Sequence, residues 1–132
     1  MITLEDIHKP VTAELEAFDD FVERQFTAEG ELLSDMLRYA LSTRGKGIRP
    51  MLVMLSAAMN APVKGASMGR RACLAAMLVE MIHVASLIHD DVIDESDMRR
   101  GKPSANARWQ SHKAVILGDY ILAKNMNIGL QS

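Results

Sequence analysis

Aromatic side chains are scarce in this chain: one Trp, two Tyr and three Phe, 5% of 132 residues. A core drawn instead from Leu, Met, Ala, Ile and Val favours helices over sheets. Cysteine is all but missing. Cys73 alone excludes an internal disulfide and fits a reducing compartment. It lies in an apolar helical run, where an inert buried thiol is expected. No charge of one sign accumulates. The net charge of −2 leaves no nucleic-acid footprint. The longest uncharged apolar run, Cys73 to Val79, is far short of a membrane span, so no transmembrane segment is expected. Met1-Ile2-Thr3-Leu4-Glu5-Asp6 has no basic region followed by an apolar stretch, so no secretory signal is expected. What is present is an ordinary soluble balance, 48% hydrophobic and 24% charged. The expectation is one all-α domain over residues 1–132, in the cytoplasm.

The apolar residues recur at helical spacing. Leu4, Ile7, Val11, Leu15, Phe18, Val22 and Phe26 predict an amphipathic helix over 4–27, with Pro10 as a kink or fresh start. Its acidic residues, Glu14 to Glu23, read as a solvated face. Ala28-Glu29-Gly30 breaks the pattern before a second helix over 31–43. Thr43 to Pro50 is a glycine-rich, basic loop, and Pro50 is placed to open a helix over 50–59. After a loop at 60–65, a long helix runs from Ser67, its expected N-cap, to Glu95. Ser96 to Pro103 reads as a loop, followed by a short helix over 104–110 and a last one over 112–129.

The stretch from His83 to Glu95 stands out because an apolar run ends in carboxylates. At about 100° per residue, Asp90 and Asp94 share one stripe, one turn apart, and His83 lies about two turns earlier on nearly the same face. Asp91 is rotated away from them. Two carboxylates on one stripe repel when unpaired. They make sense around a divalent cation, and hard oxygen ligands suit Mg²⁺. Arg99, Arg100 and Lys102 follow at once in the next loop. Carboxylates for a metal, then guanidiniums for an anion on that metal, make a logical diphosphate cradle. Lys46 and Arg49 form a second basic cluster at a helix start, where free N–H groups also favour anions.

Each feature alone has a plainer reading. The carboxylates could be a solvated helix end. Arg99 and Arg100 could pair with Asp97 or Asp94, and Lys46 and Arg49 could be an ordinary basic loop. His83 would ordinarily be a satisfied core histidine; His89 could complete a His-Asp metal pair but projects about 100° from Asp90, which suits packing or a role behind the metal ligands.

Taken in order, the motifs narrow the choice. Gly45-Lys46-Gly47-Ile48-Arg49-Pro50, His83, Asp90-Asp91-Val92-Ile93-Asp94 and Arg99-Arg100-Gly101-Lys102-Pro103 resemble the N-terminal motifs of trans-type polyprenyl diphosphate synthases, as does Gly118-Asp119-Tyr120-Ile121-Leu122. The resemblance implies an all-α helical bundle of the isoprenoid synthase type, usually a homodimer. It implies a transferase of isoprenoid biosynthesis that condenses isopentenyl diphosphate with an allylic diphosphate. By the same resemblance, Asp90 and Asp94 bind Mg²⁺ and Arg99 contacts the allylic diphosphate. Lys46, Arg49, His83 and Arg100 hold isopentenyl diphosphate. Ala85 and Ser86, small where bulky residues stop elongation early, imply a medium- or long-chain product. Met81 and Ile82, a turn deeper, are weaker candidates for a floor.

The chain departs from that family in one respect: no second aspartate-rich motif occurs in it. The expectation is therefore the N-terminal part of a synthase, with half a site and little activity alone, prone to self-association through uncovered apolar faces. Two other readings compete. One is a non-catalytic partner subunit on the same scaffold. The other is a metal-dependent phosphohydrolase using His89 and Asp90, for which His8 and His112 are poorly placed additional ligands.

Overall fold

Seven α-helices and one short hairpin follow in order in the computed structural model, which describes residues 1–27, 30–61 and 69–131. Helix α1 (Leu4–His8) opens on a capping box. The Thr3 hydroxyl accepts from the Asp6 N–H, and the Asp6 carboxylate accepts from the Thr3 N–H at 2.9 Å. The bond from the Thr3 N–H, and a second donated by the Thr3 hydroxyl at 3.0 Å, hold the Asp6 carboxyl below its ordinary pKa. Pro10 sits in a 3₁₀ turn, Lys9–Val11, before α2 (Thr12–Gln25). The backbone stays in the helical region at His8, Lys9 and Thr12, so Pro10 marks a local tightening between the two helices. Helix α3 is Glu31–Ser42 and α4 is Ile48–Met59. Helix α4 begins two residues before Pro50, which still falls in the first turn and breaks no helical bond. Gly47, at φ +68°, precedes it.

Helix α5 (Arg70–Ile93) is the long helix, about 36 Å at 1.5 Å per residue. Its expected cap, Ser67, and most of the preceding loop lie outside the described residues. By length and composition α5 is the one helix among the described residues that could cross a membrane. Counting uninterrupted apolar residues missed this, because Glu80 and His83 break the run. In the structure α5 is a core helix: Ala76, Met77, Met81 and Ala85 are fully buried.

The chain falls into two compact units. The first comprises Met1–Gln25 and Gly47–Glu80. Its core is Val11, Phe18, Phe21, Val22, Met51, Met54, Cys73, Ala76 and Met77. Each fully buried methionine there contributes about 1.5–3 kcal/mol. Cys73 is free and buried, and burial pushes its thiol above the usual pKa. That agrees with an inert thiol.

The second unit comprises Phe26–Lys46 and Met81–Ser132. It includes α3, the last part of α5, α6 (Ala105–Trp109) and α7 (Ser111–Leu130). Phe26, Leu37, Met81, Val84, Ile88, Leu117 and Ile121 form its core. Where the composition predicts a loop, the structure has a two-residue-per-strand antiparallel hairpin, β1 (Met98–Arg99) and β2 (Lys102–Pro103). Its two-residue turn, Arg100-Gly101, has φ +51° and +78°. An X-Gly pair with both φ positive suits a tight hairpin of the I′ kind. The Ser104 hydroxyl then caps α6 by accepting from the Ala107 N–H at 3.3 Å.

Candidate active site

The second unit carries most of the residues singled out from the sequence. Asp90 is exposed on the last turn of α5, and Asp94, also exposed, lies just past its end at Ile93. The Asp94 N–H donates to the Asp90 carbonyl at 2.8 Å, so the one-turn relation between the two persists beyond the helix. Asp91 faces the other way and is buried. Its carboxylate accepts two bonds from Arg99: Nη2 donates to Oδ1 at 2.7 Å and Nε to Oδ2 at 3.1 Å. The guanidinium is held side-on, which leaves the Nη1 edge of its donor fork uncommitted to Asp91. The bond to Asp91 raises the Arg99 pKa further, and the charges of Asp91, Asp90 and Asp94 add to it. A permanent cation is thus fixed where it feels all three carboxylates.

The plainer pairing of Arg99 with Asp97 or Asp94 is not what forms; its partner is Asp91. Angular sorting on the helix separated Asp91 from the other two aspartates, and that separation holds. Its partner comes from a chain reversal that helical periodicity does not reveal.

Arg100 turns elsewhere. Its guanidinium lies against Gly45, where even a Cβ would collide with it. Lys46, exposed, is the next residue in that loop. Folding therefore brings the two basic motifs of this unit together. A side chain at position 45 would oblige the Arg100 guanidinium to shift. In the hairpin register Arg99 stands directly opposite Lys102. Like charges opposed across a ladder are destabilising, a placement that an anion relieves. Arg49 is exposed in the first turn of α4 and belongs to the first unit.

His83 is half-buried, two turns before Asp90. Ser86 is exposed, and its hydroxyl donates to the His83 carbonyl at 2.8 Å. Ala85 is fully buried, so of the two small residues only Ser86 lies on the open face. One turn deeper the same distinction applies: Met81 is fully buried and Ile82 is exposed.

His89 packs against α7. Its Nε2 lies 3.2 Å from the Val115 carbonyl and 3.3 Å from Asp119 Oδ1, and its ring covers Gly118. A carbonyl only accepts, so Nε2 is the donor. His89 is thus tied to α7 through Nε2. Among the described residues, no three His, Cys, Asp or Glu side chains converge as a metal site. Two exposed carboxylates one turn apart fit a cation that keeps waters and takes its other oxygens from a phosphate ligand.

Residues 30–131 match the polyprenyl synthetase family, and the chain belongs to it. It is 34% identical over 124 residues to the all-trans-nonaprenyl-diphosphate synthase (geranyl-diphosphate specific) of Rhodobacter capsulatus, covering 94% of this chain and 37% of that protein. It is 35% identical to heptaprenyl diphosphate synthase component 2 of Geobacillus stearothermophilus, over 93% of this chain and 37% of the relative. The crystal structure of a decaprenyl diphosphate synthase from Rhodobacter capsulatus superposes with a TM-score of 0.80 at 31% identity, covering 93% of this chain and 37% of that one. The chain thus spans little more than a third of the length of these relatives, and its helical fold is theirs.

Proposed function

We propose that the protein serves a prenyltransferase reaction, the condensation of isopentenyl diphosphate with an allylic diphosphate to give a medium- or long-chain prenyl diphosphate. One observation carries this reading. The exposed Asp90/Asp94 pair stands beside an arginine that buried Asp91 holds in place, and a second cationic group, Arg100 against Gly45 next to Lys46, belongs to the same unit. The names of the related synthases support the reaction and the product class.

In this reading Asp90 and Asp94 would hold Mg²⁺, which when bound would supply Lewis-acid neutralisation of diphosphate charge. Arg99, oriented by Asp91, offers its free edge to the allylic diphosphate. Breaking the allylic C–O bond leaves an allylic cation and inorganic diphosphate, and fixed cations at the developing charge lower that barrier. The alkene of isopentenyl diphosphate, held within the second unit by Lys46, His83 and Arg100, then attacks the cation. Loss of a proton restores a double bond. Ser86 and Ile82 on the open face of α5 flank the path of the growing chain. A cytoplasmic location belongs to the same reading and is supported by the single free cysteine. So does assembly as a homodimer, supported by exposed apolar side chains on α7. A partner chain of a different sequence is the second reading, favoured by the relative named as component 2 of a heptaprenyl synthase.

The test is Mg²⁺-dependent incorporation of labelled isopentenyl diphosphate onto an allylic primer, comparing this chain with the complete product of its gene. Asp90→Ala and Asp94→Ala are each expected to abolish incorporation by the active form. Unchanged incorporation in both variants refutes the assignment.

A further inference from the structure

The hairpin that carries Arg99, Arg100 and Lys102 does not hold itself together. Two residues per strand is below what a free hairpin sustains in water. Arg100 takes a left-handed backbone conformation, which is unfavourable for a side-chain-bearing residue. Arg99 and Lys102 add like-charge repulsion across the ladder. Other groups must therefore anchor it.

Beyond the Ser104 N–H, which donates to the Asp97 carbonyl at 2.9 Å, three side-chain anchors are visible among the described residues. Asp91 grips Arg99 on β1. Just before β1, the Ser96 carbonyl accepts from the Ser104 hydroxyl at 2.6 Å and from the Asn106 amide at 2.9 Å. On β2 the Pro103 carbonyl accepts from the Tyr39 hydroxyl at 2.7 Å. Of these anchors, Tyr39 alone comes from far away in sequence, across 64 residues. Its ring is itself clamped. Trp109 meets it edge-on at 5.2 Å and 80°, and the Arg108 guanidinium lies 4.3 Å from the Tyr39 centroid and 4.6 Å from that of Trp109. An aromatic ring held on two sides places its hydroxyl with little freedom.

We infer that Tyr39 is a positioning residue: its hydroxyl sets where β2 lies, and through the hairpin sets the grip of Arg99, Arg100 and Lys102 on a diphosphate. This rests on the functional reading above. Tyr39 touches neither substrate nor metal in this account.

Tyr39→Phe removes the hydroxyl and keeps the ring. The experiment measures binding of inorganic diphosphate with Mg²⁺, binding of Mg²⁺ alone, and amide hydrogen exchange over residues 98–103. Ser42→Ala is the control, because it deletes a hydrogen bond to the Tyr39 carbonyl on the same helix without touching the hairpin. Tyr39→Phe is expected to speed exchange in the hairpin and weaken diphosphate binding about two- to tenfold, the worth of one net hydrogen bond. Mg²⁺ binding alone, and every property of Ser42→Ala, should stay as in the parent. Parent-like diphosphate affinity in Tyr39→Phe overturns the inference and leaves the functional reading standing. Parallel loss of Mg²⁺ and diphosphate binding, or the same loss in Ser42→Ala, also overturns it by showing general loosening. A parent chain that binds no diphosphate refutes the functional reading itself, and this inference with it.

Discussion

The residue that most changes the reading of the site is Asp91. Three aspartates within five positions invite the idea that all share one metal, yet the structure divides them: two exposed, one buried on Arg99. The division makes a prediction. In Asp91→Asn, Arg99 loses its charged, two-point partner. A hydrogen bond to a charged group is worth about 1.5–3 kcal/mol, so diphosphate affinity should fall by about tenfold or more. Mg²⁺ affinity should stay close to that of the parent. Asp90→Asn and Asp94→Asn should do the reverse and lose Mg²⁺ first. Calorimetric titration of the three variants with Mg²⁺, then with diphosphate, checks the split; Mg²⁺ lost equally in all three refutes it. Helical angles were enough to predict which aspartates share a stripe. They carried no information about the partner of Asp91, because Arg99 reaches it only after the hairpin has turned the chain back.

Among the elements, the junction of α5 and α7 has a distinctive signature. Gly118 lies inside α7, where glycine normally weakens a helix by about 1 kcal/mol relative to alanine. Gly118→Ala should therefore stabilise the chain if the position were merely helical. Here the His89 ring occupies the space that a Cβ needs. Overpacking of this kind costs about 1–3 kcal/mol, so the sign should invert. Denaturant unfolding is expected to show Gly118→Ala destabilised. His89→Ala combined with Gly118→Ala should recover part of the loss relative to the sum of the two single changes. Simple additivity would show that the ring and the glycine do not meet. The long helices were legible from periodicity, with ends shifted by a residue or a few. The 3₁₀ turn at Pro10 was half-legible from the proline. The hairpin was not legible as strand, because two residues on each side give no alternation to read. The remaining trace was its Arg100-Gly101 turn, which also fits an ordinary loop.

For the molecule as a whole, the open question is what meets the outer face of α7. The inner face is settled: Ala114, Leu117, Gly118, Ile121, Asn125 and Ile128 are buried within the second unit. On the other side Val115, Ile116, Met126 and Leu130 are exposed by 37%, 61%, 61% and 85%. At about 100° per residue these four fall within one arc of roughly 100°, which they share with the exposed Asp119. Scattered exposed apolar residues are ordinary, but a shared arc along one helix is the kind of surface that associates. A single helix face can pair with its own copy about a two-fold axis, the commonest symmetry of homo-oligomers. The homodimer of the functional reading therefore predicts concentration-dependent association in sedimentation velocity. Ile116→Lys with Met126→Lys should abolish it, because each copy would bring two cations to the same axis. Exposed substitutions usually change folding stability by no more than about 0.5 kcal/mol. The double variant should thus unfold near the parent midpoint while sedimenting as a monomer. A parent chain that stays monomeric at every concentration refutes the self-pairing, and association that survives both lysines moves the interface off α7.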